Sequence, residues 1–191
     1  MFGLQYGTMK KKILIALGLI VVLTGAGIFY LNNRNRTMSP PAEQRITTNG
    51  GLTVSIDYSR PSVRGRLIFG TEEEGALQPY GVYWRLGANE ATVANFSEDI
   101  MINGEKVPSG YYGIHAFPGK DSFDIALNKT WDRWGFSEPD YSQDIVNLKV
   151  PVERISQPIE QFTIRLGESD SGVQIICEWS DVRFVIPVEE L

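Results

Sequence analysis

The chain has 191 residues, 42% hydrophobic and 21% charged, which suits one globular domain plus an appendage. Of its 18 basic and 23 acidic residues, 1–45 holds six and one, leaving 12 against 22 and about −10 formal charge in 46–191. An acidic body without a basic stripe argues against nucleic acid, because phosphate binding needs clustered cations. One cysteine, Cys177, and one histidine, His115, rule out an intramolecular disulfide and a Cys/His zinc site.

Ile13 to Leu31 is a run of 19 residues without a charge. As a helix it would be about 28 Å long, close to the ~30 Å hydrocarbon core of a bilayer. Lys10, Lys11 and Lys12 precede it, and Tyr30 stands where an interfacial aromatic belongs. A cleaved signal peptide has a shorter core and a small-residue cleavage site, for which Gly25-Ala26-Gly27 is the candidate; cleavage would release a secreted domain. The length favours an uncleaved anchor, with the lipid bilayer as partner through 13–31. The lysine cluster favours residues 1–12 in the cytoplasm and the domain outside. Residues 32–49 read as a polar linker that Pro40-Pro41 stiffens and in which it stops the helix.

From Leu52 onward the hydrophobic period is two, the signature of half-buried strands. Candidates are 52–58, 63–69, 81–84, 91–96, 99–102, 111–117, 122–128, 145–150, 159–166, 173–179 and 182–188. Asn103-Gly104 marks a tight hairpin, since both central positions of a type I′ turn need positive φ. Gly167 to Gly172 and Ser180-Asp181 read as turns. With no amphipathic helix between strands, 50–191 is expected to be an all-β, antiparallel β-sandwich or jelly-roll-like domain. Pro151 and Pro187 suggest edges or strand ends.

Two polar constellations stand out. In Tyr58 to Arg66, Arg64 and Arg66 would share one strand face, as an anion site or as partners for nearby carboxylates. In Trp84-Arg85-Leu86-Gly87-Ala88-Asn89-Glu90-Ala91-Thr92, Arg85 and Glu90 could form a buried pair bridged by Asn89. That network would either bind a ligand or hold strands in register. His115 lies mid-strand with no Ser-His-Asp spacing around it, and Cys177 reads as a small buried hydrophobe. Trp131, Trp134, Phe136 and Tyr141 occupy the long irregular stretch 129–143, where they would cap the open end of the sandwich or stack on sugars. P-loop, dinucleotide and G-x-S-x-G fingerprints are missing, so no cofactor, metal or catalytic residue is assigned.

The runs YSRPSVRGRLIFG, PYGVYWRLGANEAT and INGEKVPSGYYGIHAFPGKDSFDIALNK, with the later Trp134-Gly135, resemble the bacterial family called Domain of Unknown Function 2911. Its arginine-glycine-arginine, tryptophan-arginine-x-glycine-alanine-asparagine-glutamate-alanine-threonine and proline-x-glycine-x-tyrosine elements match Arg64–Arg66, Trp84–Thr92 and Pro108–Tyr112. The resemblance implies an exported or envelope-associated β-protein and no established activity or cofactor. His115 departs from the family pattern, which has a small polar or aliphatic residue there.

Three functions are carried forward. The first is a non-catalytic binding or structural module at the cell envelope, with Arg64, Arg66, Trp84, Arg85, Asn89, Glu90 and Thr92 around a small anionic or carbohydrate ligand. The second is a glycan hydrolase pairing Glu90 with Asp57 or Glu98, since glycosidases need two carboxyls about 5–9.5 Å apart. The third is purely architectural, with the motifs holding the sandwich together. Oligomeric state has no sequence signal.

Overall fold

A computed structural model describes the backbone of residues 3–191 and the side chains of 11–191. Of the stretch 1–12 assigned to the cytoplasm, Met1 and Phe2 therefore lie outside the described residues. The chain divides between Thr37 and Met38 into a helical unit and a β domain.

Helix α1 spans Gly3–Met38. From Lys11 to Met38 it is long and apolar enough to cross a membrane, and none of its apolar window is buried by protein. A membrane anchor and a signal sequence both have this character. The helix runs seven residues past the uncharged stretch, because Asn32 to Thr37 end the hydrophobicity without ending helical geometry. Thr37 Oγ1 donates back to Asn33 O at 2.9 Å. Ser39-Pro40-Pro41 then stops it, since proline disfavours the α region in the residue before it and offers no N–H.

The expected linker is thus shorter than 32–49. Pro41–Thr47 forms strand β1, paired along its whole length with β2, Thr53–Ser59. Only Ala42 and Ile46 of β1 pack against the core, too few to show a period. The other strands are β3 (Phe69–Gly70), β4 (Gln78–Pro79), β5 (Thr92–Phe96), β6 (Ile100–Ile102), β7 (Glu105–Val107), β8 (Gly110–Phe117), β9 (Ser122–Asn128), β10 (Asp144–Pro151), β11 (Glu153–Ser169) and β12 (Gly172–Glu190).

They form a six-stranded sheet in the order β1-β2-β5-β8-β9-β10 and a four-stranded sheet in the order β11-β12-β6-β7, with β3 and β4 as a short pair. Both large sheets are antiparallel. Their apolar faces share one core, as a sandwich requires. Asn103-Gly104 makes the expected hairpin, with φ of 53° and 76° and Ile102 opposite Glu105. Pro151 closes the edge strand β10, where a missing N–H costs little.

Two expected strands are loops. Val63 to Phe69 is broken by a turn at Arg64-Gly65, with φ of 51° and 69°. Gly81 to Trp84 contributes a single bridge, Trp84 opposite Ala116, and Ser62 makes another, opposite Gln161.

Residues 173–188 form one strand where two were expected. Val173, Ile175, Cys177 and Trp179 are buried, and then Val182, Phe184, Ile186 and Val188. The inward parity changes from odd to even between Trp179 and Val182. A continuous strand can do this only by absorbing an extra residue, and Ser180 does so with φ 54°. Opposite this kink β11 takes nine steps from Arg154 to Thr163 while β12 takes four from Val182 to Glu178. The excess of β11 arches away from its partner.

At the centre of the core Trp84 stacks on Trp179 with ring centroids 5.8 Å apart. Phe162 and Phe69 meet Trp84 edge-on at 5.2 and 5.4 Å. Trp84→Ala is expected to lower the unfolding free energy by about 3–5 kcal/mol, whereas Trp134→Ala, at a half-exposed position, is expected to cost below about 0.5 kcal/mol. Denaturant titration of the detergent-solubilised chain checks the contrast.

Candidate functional site

The arch of β11 opens a cleft of about 620 Å³ lined by residues from 153–165 together with Glu178 and Arg183. Its floor is Glu178, a buried carboxylate with 5% side-chain exposure. Arg165 Nη2 donates to Glu178 Oε2 at 2.7 Å, and Arg183 Nε donates to Oε1 at 2.8 Å. A buried carboxylate demands such partners, since leaving it unpaired would cost several kcal/mol (about 3–5). Arg183 also reaches Glu153 at 3.3 Å, and at the rim Arg154 pairs with Asp181 at 2.8 Å. Three guanidiniums thus line the cleft against two carboxylates, with Ser156, Gln157 and Thr163 between them.

The arch is pinned from outside. Arg60 Nε donates to Phe162 O at 3.2 Å and its Nη2 to Thr163 Oγ1 at 3.0 Å. The buried Tyr58 hydroxyl takes a place in the backbone ladder, accepting from Ile164 N at 3.0 Å and donating to Ile164 O at 3.3 Å. None of these cleft residues was singled out from the sequence. The legible signal was the parity change at 179–182, which puts Glu178 and Arg183 on one face although five positions separate them.

None of the seven residues expected around a ligand lines this cleft. Arg64 and Arg66 sit on an exposed turn and not on a common strand face. Arg66 folds back on Val63 O and Ser62 O, while Arg64 Nη2 donates to Met38 O at 3.2 Å. Trp84 is core, and its indole N–H donates to Gly87 O at 3.2 Å. Gly87 has φ +153°, and a Cβ there would lie 2.9 Å from Ser59 O. Thr92 Oγ1 donates to Leu86 O at 2.6 Å. Arg85 Nη1 donates to Asn89 O at 3.1 Å and lies 5.6 Å from the Phe136 ring centre. Burial holds the Arg85 guanidinium below its ordinary value. Asn89, in a left-handed conformation at φ 60°, donates from Nδ2 to Ser39 O at 3.2 Å. Glu90 bridges Trp134 through the backbone. Trp84, Gly87 and Thr92 therefore shape a turn, and Arg64 and Asn89 hold the chain where α1 ends.

Residues 129–143 lie over the outer face of β8, not over the end of the sandwich. Trp131 meets Tyr111 at 5.0 Å, and Tyr141 meets His115 and Phe117 at 5.5 and 5.8 Å. Tyr111, His115 and Phe117 all point away from the core on alternate positions of β8, so this face needs covering. Arg133 donates to the Tyr83 hydroxyl at 2.8 Å, and Tyr83 donates to Gly135 O at 3.1 Å. Cys177 is fully buried, and burial pushes its thiol far up, out of the reactive range.

The cover makes His115 fully buried, with no hydrogen-bond partner for either ring nitrogen among the described residues. Asp144 Oδ2 is 3.6 Å from Nε2, and its other oxygen accepts from Asn128 Nδ2 at 2.7 Å. Burial holds the imidazole below its ordinary 6.5, outweighing the opposing pull of Asp144, and Arg133 adds to the depression. The unfolded chain takes a proton below that value which the fold refuses, so stability is lost on acidification. Between about pH 7.5 and about pH 5.5 the melting temperature is expected to fall, and His115→Phe is expected to flatten that slope. A thermal melt series across that range checks it.

No curated protein and no solved structure matches the chain. A family model described as protein of unknown function (DUF2911) matches residues 39–188, which takes in the β domain from just after α1 to near the end of strand β12. The chain belongs to the DUF2911 family.

Proposed function

We propose that this chain is a single-pass, membrane-anchored binding module of the cell envelope, without catalytic activity of its own. On this reading its β domain lies outside the cytoplasm, and the cleft under the β11 arch takes a small anionic ligand. The observation that carries the ligand assignment is the seating of two guanidiniums on the buried Glu178 carboxylate. Glu178 fixes Arg165 and Arg183 before any ligand arrives, so less side-chain entropy is lost on binding. Arg165 remains half-exposed, with N–H groups beyond the single Nη2 bond to Glu178. Carboxylate, sulfate and phosphate groups match that planar donor set.

The anchor reading draws on the uncharged run 13–31 within α1, a helix that the β domain follows after only Ser39 and Pro40. Resistance of the full chain to alkaline carbonate extraction tests it; release into the soluble fraction would defeat it.

For the cleft, Arg165→Gln is the useful variant, because it leaves Glu178 paired with Arg183. Calorimetric titration of the solubilised chain with succinate and with sulfate is expected to show binding that weakens about ten-fold in Arg165→Gln, one charge-assisted hydrogen bond's worth. The melting temperature should change little. Equal response to a neutral disaccharide, or no response to either anion, would count against the assignment.

A further inference from the structure

We infer that the face of the β domain carrying Arg64, Arg66, Leu67, Trp134 and Phe136 rests on a lipid surface with anionic headgroups. This rests on the anchor reading and adds where the domain meets the bilayer.

The first observation is the way the chain enters the domain. Three consecutive carbonyls are held: Met38 O by Arg64 Nη2 at 3.2 Å, Ser39 O by Asn89 Nδ2 at 3.2 Å and Pro40 O by the Arg60 N–H at 2.9 Å. Asn32 to Met38, seven helical residues, separate this clamp from the end of the uncharged run. As helix they extend about 10 Å, so a spanning segment keeps the clamp at the outer edge of the headgroups.

The second observation ties the aromatic loop to the same point. Asn89 O accepts from Gly135 N at 3.0 Å, and Ala91 N donates to Arg133 O at 3.2 Å. Trp134 and Phe136 therefore flank a residue bonded to the backbone carbonyl of Asn89, whose side-chain amide holds Ser39 O. A Cβ on Gly135 would lie 2.7 Å from Arg85 Cδ, so the loop is pressed closely against the Arg85–Asn89 turn.

The third is chemistry. Phe136 is 75% exposed, Leu67 48% and Trp134 47%, a costly display in water. Arg64 and Arg66, both exposed, stand on the turn next to Leu67. Aromatic rings beside guanidiniums have the character of a membrane interface, and arginines are drawn to anionic leaflets. Glu160 Oε1 accepts from the Arg64 N–H at 2.9 Å and offsets one of these charges, but the two guanidiniums are still a basic spot on an acidic domain that such a leaflet would repel, which favours one way of lying down.

The test uses the full chain in vesicles of phosphatidylcholine, with and without phosphatidylglycerol, containing a lipid whose nitroxide lies near the headgroups. Trp84 and Trp179 are buried in the core and insulated from the quencher. The expected result is quenching of tryptophan emission that drops about two-fold or more in Trp134→Phe. Phosphatidylglycerol should strengthen it, and Arg64→Glu/Arg66→Glu should remove that gain. A chain that stays in carbonate-washed vesicles yet shows quenching unchanged by Trp134→Phe overturns this inference and leaves the anchor standing. So does an unquenched Trp134, the outcome for a face reserved for another protein. A chain washed out of the vesicles overturns both.

Discussion

The stack of Trp84 on Trp179 joins the two sheets of the β domain, and the chain leads from it to both surfaces of interest. Trp84 belongs to the turn that borders the six-stranded sheet, and Trp179 to β12 of the other sheet. With Phe162, Phe69 and Phe123 they make a cluster of edge-to-face contacts that fixes how the sheets meet. On one side the chain continues through Leu86 and Gly87 to Asn89, which holds the exit from α1. On the other, the residue after Trp179 is Ser180, whose left-handed backbone reverses the parity of β12 and lets β11 arch. Short stretches of chain therefore lead from one buried contact to both the clamp and the cleft.

Charge is placed by the same logic. Glu178 is buried only because the arch covers it, and it is tolerated there because two guanidiniums meet it. His115 is also buried by a covering segment but lacks a comparable partner, with Asp144 just beyond hydrogen-bonding range. One buried titratable group is thus met by two guanidiniums, and burial biases the other toward its neutral form. The difference lies in whether the covering chain brings a donor within reach: Arg165 of the arch bonds Glu178, and the segment 129–143 leaves both His115 nitrogens unbonded among the described residues.

Much of the β domain was legible because alternation is robust when one face is buried. Ser122–Asn128 and the Asn103-Gly104 hairpin follow directly from local pattern and turn chemistry. What escaped depends on events between strands. Strand β1 has only Ala42 and Ile46 facing the core, so its period is invisible without β2 beside it. Ser180-Asp181 carries the composition of a turn, yet pairing of β11 on both sides keeps β12 continuous. The cleft is a product of unequal strand lengths, a property of a register and not of a window of residues. Arg64 and Arg66 misled because alternation presumed a strand where Arg64-Gly65 turns.

The family motif and the cleft therefore answer different needs. In Trp84–Thr92 nearly every polar atom with an assigned bond turns toward backbone: the Trp84 indole to Gly87 O, Thr92 Oγ1 to Leu86 O, Arg85 to Asn89 O, Asn89 to Ser39 O. Backbone carbonyls are present whatever ligand the domain meets, so a motif built on them specifies shape and attachment. The Arg165–Glu178–Arg183 group bonds side chain to side chain and faces an opening. Side-chain networks of that kind can change one residue at a time without disturbing the ladder beneath them. A scaffold that fixes its own entry point with backbone bonds leaves the side chains of the neighbouring cleft, pinned by the same Arg60, free to vary.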